Sequence, residues 1–154
     1  MSRPPRHPRQ PLLTFPLIMR TGLVALIMVG GGIGLFLWEW QVAQAGLPVA
    51  RTVATNVIVL VQLVYLFNCR SLNYSVFAIG FLTNRWTIAG ALAMLGAQLL
   101  LTYTPLMNRL FHTAPLHGAS WLRIVAVALA AFAAVELEKW IRFGRHRRGP
   151  AAAP

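Results

Sequence analysis

Four long apolar stretches constrain the fold of this chain more than any other feature. Residues Thr21 to Trp38 and Thr52 to Cys69 carry no charged side chain, and a third such stretch starts at Trp86. A membrane-spanning helix needs about 20 mostly apolar residues to cross a hydrocarbon layer about 30 Å thick. Because 57% of the residues are hydrophobic and only 11% are charged, an ordinary soluble domain is excluded. The sequence predicts an all-α integral membrane bundle of four transmembrane helices.

The predicted spans divide the chain into three parts. A basic, proline-rich arm over residues 1–16 precedes the membrane domain over residues 17–143, and a disordered basic tail over residues 144–154 follows it. Within the membrane domain, the spans are predicted at about 17–40, 51–69, 86–104 and 120–143.

The distribution of Lys and Arg predicts the orientation of the bundle. Counted on alternate sides of the four spans, eleven Lys and Arg residues lie on the side of the two termini, and Arg51, Arg109 and Arg123 lie on the other side. The excess of positive charge marks the cytoplasmic side, so both termini are expected to be cytoplasmic. The stretch between Arg70 and Arg85 is too short and too polar to span, and we expect an interfacial loop with a short helix over residues 76–81.

Small residues at helical spacing indicate where helices pack. Gly30 and Gly34 form a GxxxG pair, and Ala89, Ala93 and Ala97 lie four residues apart in the third span. In lipid, small residues let a second helix approach closely. We expect these five residues to hold the bundle together and to pack against further helices, although a merely flexible apolar helix explains the glycine pair equally well.

The ionisable residues do not form an evident active site. The sequence contains neither a Gly-rich phosphate-binding loop nor a nucleophile next to a base. Glu39, Glu136 and Glu138 lie near predicted membrane edges, where charged side chains anchor and pair. Glu136 with Lys139 and Glu138 with Arg142 have the spacing of helical ion pairs. We therefore expect these glutamates to stabilise the bundle and not to catalyse.

Other common functions are also not indicated. His112 and His117 lie in the same predicted outer loop, but no third metal ligand is near them in the sequence. The single cysteine, Cys69, excludes an intrachain disulfide. The basic residues do not form one stripe with aromatic residues, so nucleic acid is not an expected partner.

Gln62 is the polar residue nearest the middle of a predicted span. Hydrocarbon cannot satisfy its amide, so the face that carries it is expected to contact protein. Two interpretations remain open: an interhelical hydrogen bond worth about 0.6 kcal/mol, or a carbonyl oxygen that faces an ion or water path. Asn56 lies beside the helical stripe that contains Gln62, whose other members are Thr52, Thr55, Val59 and Leu66.

Several sequence blocks carry a family resemblance, among them LFNCRSL, YTPLMNRLF and VELEKW. Over roughly residues 2 to 143 the chain resembles the C-terminal membrane domain of type II P-type cation-transporting ATPases, the calcium-pump-like group. The resemblance implies that the four spans correspond to the last four of ten membrane helices. It also aligns Gln62 with a glutamate that contributes to one of two calcium sites. Since calcium takes about six to eight oxygens and gains affinity from carboxylates, a pump with Gln62 there would lack that site, and Gln62 would be a peripheral cation ligand or a packing residue.

The function implied by the resemblance is that of a supporting transmembrane sector of a cation pump. The sequence lacks the phosphorylation motif DKTGT, so the chain is not expected to be an enzyme alone, and it needs no cofactor, since Mg-ATP would act only in a complete pump. The implied partners are the lipid bilayer and the remaining ATPase polypeptide, and the implied location is a bacterial inner membrane. The alternative is a stand-alone membrane interaction protein or the remnant of a truncated pump. Calcium, manganese, sodium and protons all remain open as the transported cation.

Overall fold

The computed structural model describes residues 15–69 and 85–146. These residues form five α-helices, with no strand in either described range. The helices are α1 (Phe15–Leu37), α2 (Leu47–Cys69), α3 (Arg85–Tyr103), α4 (Pro105–Phe111) and α5 (Gly118–His146), and a π-helix (Trp38–Val42) follows α1. Four of the helices are long and apolar enough to cross a membrane: α1 with its extension, α2, α3 and α5. The predicted all-α bundle of four spans is confirmed.

Two of the differences between predicted and observed helix bounds lie at prolines. α2 begins at Leu47, four residues before the predicted start, because Pro48 suits the first turn, where its missing N–H removes no helical hydrogen bond. Pro105 follows the end of α3, as predicted, but it also starts α4, which the sequence analysis missed. At the other end of the chain, α5 continues to His146, into the predicted tail. The predicted short helix over 76–81 lies outside the described residues.

α1, α2 and α5 form a compact three-helix unit. Their contact surfaces bury Val57 and Val61 of α2 against Ile124, Ala128 and Val135 of α5 in one hydrophobic cluster. α3 packs mainly against α2 among the long helices, and most of its apolar side chains are exposed. The outer surfaces of all four long helices carry large exposed hydrophobic residues, as expected of helices that face lipid or further helices.

The close approach of α1 to its neighbours depends on Gly31 and Gly32. A Cβ atom on Gly31 would lie 2.5 Å from Cγ1 of Val127 in α5, and one on Gly32 would lie 3.9 Å from the carbonyl oxygen of Ala54 in α2. The predicted pair, Gly30 and Gly34, is exposed and has nothing within 4 Å of an added Cβ. Within the described bundle Gly31 and Gly32 thus make the close contacts, whereas Gly30 and Gly34 do not. GxxxG spacing defines a helix face but not the neighbour that it meets.

The predicted alanine stripe of α3 is also exposed. Ala89, Ala93 and Ala97 lie on the outside of the described bundle, whereas Ala91, Gln98 and Thr102 are the buried residues of this helix. The contacts of α3 within the described bundle are thus made by residues other than these three alanines. A contact of Ala89, Ala93, Ala97, Gly30 and Gly34 with helices outside this chain stays a prediction.

Replacement of Gly31 by alanine is expected to lower the free energy of unfolding by about 1–3 kcal/mol. The added methyl group would overlap with Val127, whose β-branched side chain has little rotamer freedom in a helix. The measurement is SDS-induced unfolding of the purified chain in mixed micelles, followed by tryptophan fluorescence. Gly30→Ala is the matched control and should unfold at the original midpoint or above it. Equal losses in the two variants would contradict the assigned contact.

Candidate functional site

Ionic contacts hold the two ends of the three-helix unit. One end of the unit contains the first turns of α1 and the last turns of α2 and α5, and we call it the Arg20 end. We call the opposite end the Glu39 end. At the Arg20 end, the Arg20 guanidinium lies 2.9 Å from Glu138 Oε2, so α1 is joined to α5. In the same region Lys139 Nζ lies 3.0 Å from Glu136 Oε1, which confirms the pair predicted from helical spacing.

Lys139 also holds the end of α2. Its ammonium group donates to Oδ1 of Asn68 at 3.0 Å and to the Asn68 carbonyl oxygen at 3.4 Å. The last carbonyl groups of a helix have no partner within the helix and carry partial negative charge, so a buried cation there is stabilising. The side chain of Arg142 lies outside the described residues, so its pair with Glu138 stays a prediction. Glu138 has Arg20 as a partner that helical spacing could not reveal.

The π-helix at the Glu39 end brings a carboxylate into the bundle. A π-helical turn contains an additional residue, which changes the direction of the side chains that it carries. Glu39 faces inward and is 2% exposed, whereas Trp38 and Trp40 face outward. Oε1 of Glu39 accepts hydrogen bonds from Arg123 at 2.6 Å and from Ser120 at 2.8 Å. The Arg123 guanidinium also lies 5.9 Å from the ring centre of Trp38.

A column of polar side chains runs between α2 and α3 from the Glu39 end. The N–H of Ala114, in the loop after α4, donates to Thr52 Oγ1 at 3.0 Å. Asn56 Nδ2 donates to the Thr52 carbonyl oxygen at 2.8 Å and to Thr102 Oγ1 at 3.2 Å. Thr102 Oγ1 in turn donates to the carbonyl oxygen of Gln98 at 2.8 Å. These bonds attach α3 and the loop after α4 to the three-helix unit.

Gln62 lies apart from this column, on an exposed face of α2. Ile58 and Leu66, one turn before it and one turn after it, are about 40% exposed as well (40% and 41%). The predicted polar stripe is therefore divided: Thr52 and its neighbour Asn56 are buried inside the bundle, whereas Gln62 faces outward. No described residue of this chain covers that face closely enough to bury the amide.

The two histidines are exposed near the loop after α4. His112 has a left-handed conformation with φ of 53° and ends α4, and His117 lies just before α5. Within residues 15–69 and 85–146, the structure contains no group of three or more His, Cys, Asp or Glu side chains that could hold a metal ion. Among the polar residues of the described parts of the four long helices, Gln62 is thus an amide on the outer surface of the bundle, away from the scaffold contacts.

Comparison with known proteins identifies the family. The family model described as "Cation transporting ATPase, C-terminus" matches residues 1–141. The probable cation-transporting ATPase F of Mycobacterium tuberculosis is 49% identical over 130 residues, which are 84% of this chain and 14% of that protein. The calcium-transporting ATPase type 2C member 2 of Mus musculus is 31% identical over 144 residues, which are 93% of this chain and 15% of that protein.

A bacterial calcium-transporting ATPase, from Bacillus subtilis, is 27% identical over 128 residues, covering 83% of this chain and 14% of that protein. This chain therefore spans only about a seventh of the length of these relatives, 14% or 15% of each. The family match covers all four segments that are long and apolar enough to cross a membrane, and the contacts at both ends of the bundle. The chain belongs to the cation-transporting ATPase C-terminal domain family.

Proposed function

We propose that this chain is the supporting C-terminal transmembrane sector of a P-type cation-transporting ATPase and that it is not catalytic alone. The observation that carries the proposal is the family match over residues 1–141. A polypeptide with the phosphorylation and nucleotide-binding domains and six further membrane helices would be the partner, and Mg-ATP would act there. The location that fits the bacterial relatives is a cell membrane, which this sector would cross four times.

The internal contacts support a scaffold role. Ion pairs at both ends join α5 to α1 and its π-helical extension. Lys139 of α5 also donates a hydrogen bond to Asn68 at the end of α2, so the three helices form one unit. A transport protein needs a fixed part against which the helices that bind the ion can move. The transported cation would then be selected by helices outside this chain.

The exposed face around Gln62 is the proposed contact with those helices. An amide exposed to hydrocarbon is costly, so a face that carries one is expected to be covered by protein. In a complete pump Gln62 would be the residue of this chain nearest the ion path. Its neutral side chain offers one carbonyl oxygen, which suits a peripheral ligand or a packing contact better than a full calcium site.

The orientation in the membrane follows from charge. The side of the Arg20 end carries most of the Lys and Arg residues of the chain, so both termini are proposed to be cytoplasmic. Single cysteines at Ser2 and Ala152, in a Cys69→Ser background, should react with a membrane-impermeant maleimide only after the cells are opened. Labelling of either position in intact cells would refute this orientation.

The assembly is tested by recovering the tagged chain from native membranes in mild detergent. The expected result is co-purification of a polypeptide with the phosphorylation motif, identified by mass spectrometry, and cation-dependent ATP hydrolysis in the eluate. Gln62→Trp should reduce this recovery about tenfold, a change of about 1.4 kcal/mol in binding. Leu122→Trp, a substitution at an exposed position of α5, is the matched control and should leave recovery unchanged.

Two outcomes would overturn parts of the proposal. Recovery of the chain alone, folded and without ATP hydrolysis, would favour a stand-alone membrane interaction protein. Equal recovery with Gln62→Trp and with Leu122→Trp, together with an intact pump, would leave the sector assignment standing but remove the assigned contact face.

A further inference from the structure

Two buried amide side chains between α2 and α3 have unpaired polar atoms. Asn56 is 1% exposed and Gln98 is 8% exposed. Neither Oδ1 of Asn56 nor Nε2 of Gln98 has a hydrogen-bond partner in the part of the chain that the structure describes. An unpaired buried polar atom costs about 1–3 kcal/mol, so two such atoms at one place need an explanation.

Both amides line the same small cavity. The rest of its lining consists of Val59, Leu60, Leu63, Leu95 and Trp121. The space open to the centre of a water molecule is about 10 Å³. A cavity needs about 10–15 Å³ by this measure to hold one water molecule. The cavity therefore has room for about one water molecule.

The orientation of the Asn56 amide is determined by its neighbours. Its Nδ2 atom donates to the Thr52 carbonyl oxygen, which can only accept, and to Thr102 Oγ1. The hydroxyl hydrogen of Thr102 is already donated to the Gln98 carbonyl oxygen, so Thr102 Oγ1 can only accept from Asn56. An exchanged amide would direct Oδ1 at two acceptors. The unpaired atom of Asn56 that lines the cavity is therefore an acceptor.

The chemistry of the two unpaired atoms selects the ligand. In the amide orientations of the structure, Asn56 Oδ1 needs a donor and Gln98 Nε2 needs an acceptor. A metal cation would be opposed by the amide hydrogens of Gln98, and an anion would be opposed by the Asn56 oxygen. Only a small molecule that donates and accepts hydrogen bonds satisfies both atoms, and water is the one that the cavity can hold.

We propose that a single buried water molecule bridges α2 and α3, donating a hydrogen bond to Asn56 Oδ1 and accepting one from Gln98 Nε2. This water completes the polar column that starts at Ala114 and Thr52. The bridge adds to the direct bonds that hold α3, which include those of Asn56 with Thr102 and of Trp121 with Tyr103. The inference rests on the geometry of this chain alone and does not depend on the proposed pump.

The bridge is tested by NMR on the complete chain, labelled with ¹⁵N and placed in lipid nanodiscs. The expected result is a cross-relaxation signal between the Gln98 side-chain amide protons and a long-lived water molecule. Cross-relaxation to Asn56 with no water signal would show a direct contact and overturn the proposal. A saturable shift of the Gln98 amide on titration with NaCl, KCl or CaCl₂ would show a cation site and would also overturn it.

Two variants complete the test. Asn56→Leu removes the acceptor and should abolish the water signal at Gln98, whereas the matched control Thr55→Val should retain it. Thr55 lies next to Asn56, but its hydroxyl donates to the Arg51 carbonyl oxygen on another side of the helix. If Asn56→Leu does not fold, the signal in the unchanged protein still decides. A water signal that persists in a folded Asn56→Leu chain would contradict the bridge.

Discussion

Replacement of Arg123 by methionine is expected to lower the free energy of unfolding by about 3–5 kcal/mol, which is the usual cost of removing one partner of a buried ion pair. The side chain of Glu39 is only 3% exposed, and Arg123 lies 2.6 Å from its Oε1 atom. Without the guanidinium, the carboxylate would stay buried with Ser120 as its remaining donor among the described contacts. The measurement is the SDS-induced unfolding midpoint of the purified chain.

Substitution of the other partner, Glu39→Gln, should lower the free energy of unfolding by less than Arg123→Met does. The side chain of Arg123 is 35% exposed, so its guanidinium can turn to water or lipid headgroups when it loses its partner. The glutamine also keeps an oxygen that accepts from Ser120. The double variant Glu39→Gln/Arg123→Met should recover most of the loss, because no uncompensated charge remains in the bundle. Equal losses for the two single variants, or additive losses in the double variant, would contradict a desolvated Glu39.

The ion pairs show which contacts a sequence can reveal. Glu136 and Lys139 lie three residues apart on one helix, so their pairing was predicted from helical geometry and is confirmed. Arg20 and Glu138 are 118 residues apart, and no local spacing relates them. Glu39 was predicted to anchor and pair at a membrane edge, but its inward direction depends on a π-helix that the apolar pattern does not indicate.

The polar residues of α2 show a second limit. Gln62 lies near the middle of its predicted span, yet Asn56 and Asn68 are the amides of α2 that the bundle buries. Helical periodicity states which residues share a face, whereas burial depends on where the neighbouring helices lie. The same limit explains why Gly31 and Gly32, which lie between the predicted Gly30 and Gly34, make the close contacts of α1. The number and type of the long helices were predictable because apolar length alone determines them.

The second large effect is expected at the opposite end of the bundle, for Glu138→Met. The side chain of Arg20 is 3% exposed and that of Glu138 is 25% exposed, so this substitution leaves the more deeply buried partner without its carboxylate. An expected loss of about 3–5 kcal/mol in the free energy of unfolding follows. The double variant Arg20→Met/Glu138→Met should recover most of it, since two apolar side chains can replace a buried ion pair at little cost.

Glu136→Met is the matched control for Glu138→Met. The two glutamates are two residues apart at the same end of α5, and their side chains are exposed to similar extents, 20% and 25%. The partner of Glu136, Lys139, keeps its hydrogen bonds to Asn68 when the carboxylate is removed, so the loss should be clearly smaller. Equal losses of unfolding free energy in the two variants would mean that stability depends on the total negative charge at this end of α5 and not on the pair with Arg20. A larger loss for Glu138→Met would assign the effect to Arg20, which is the cation that joins α1 to α5.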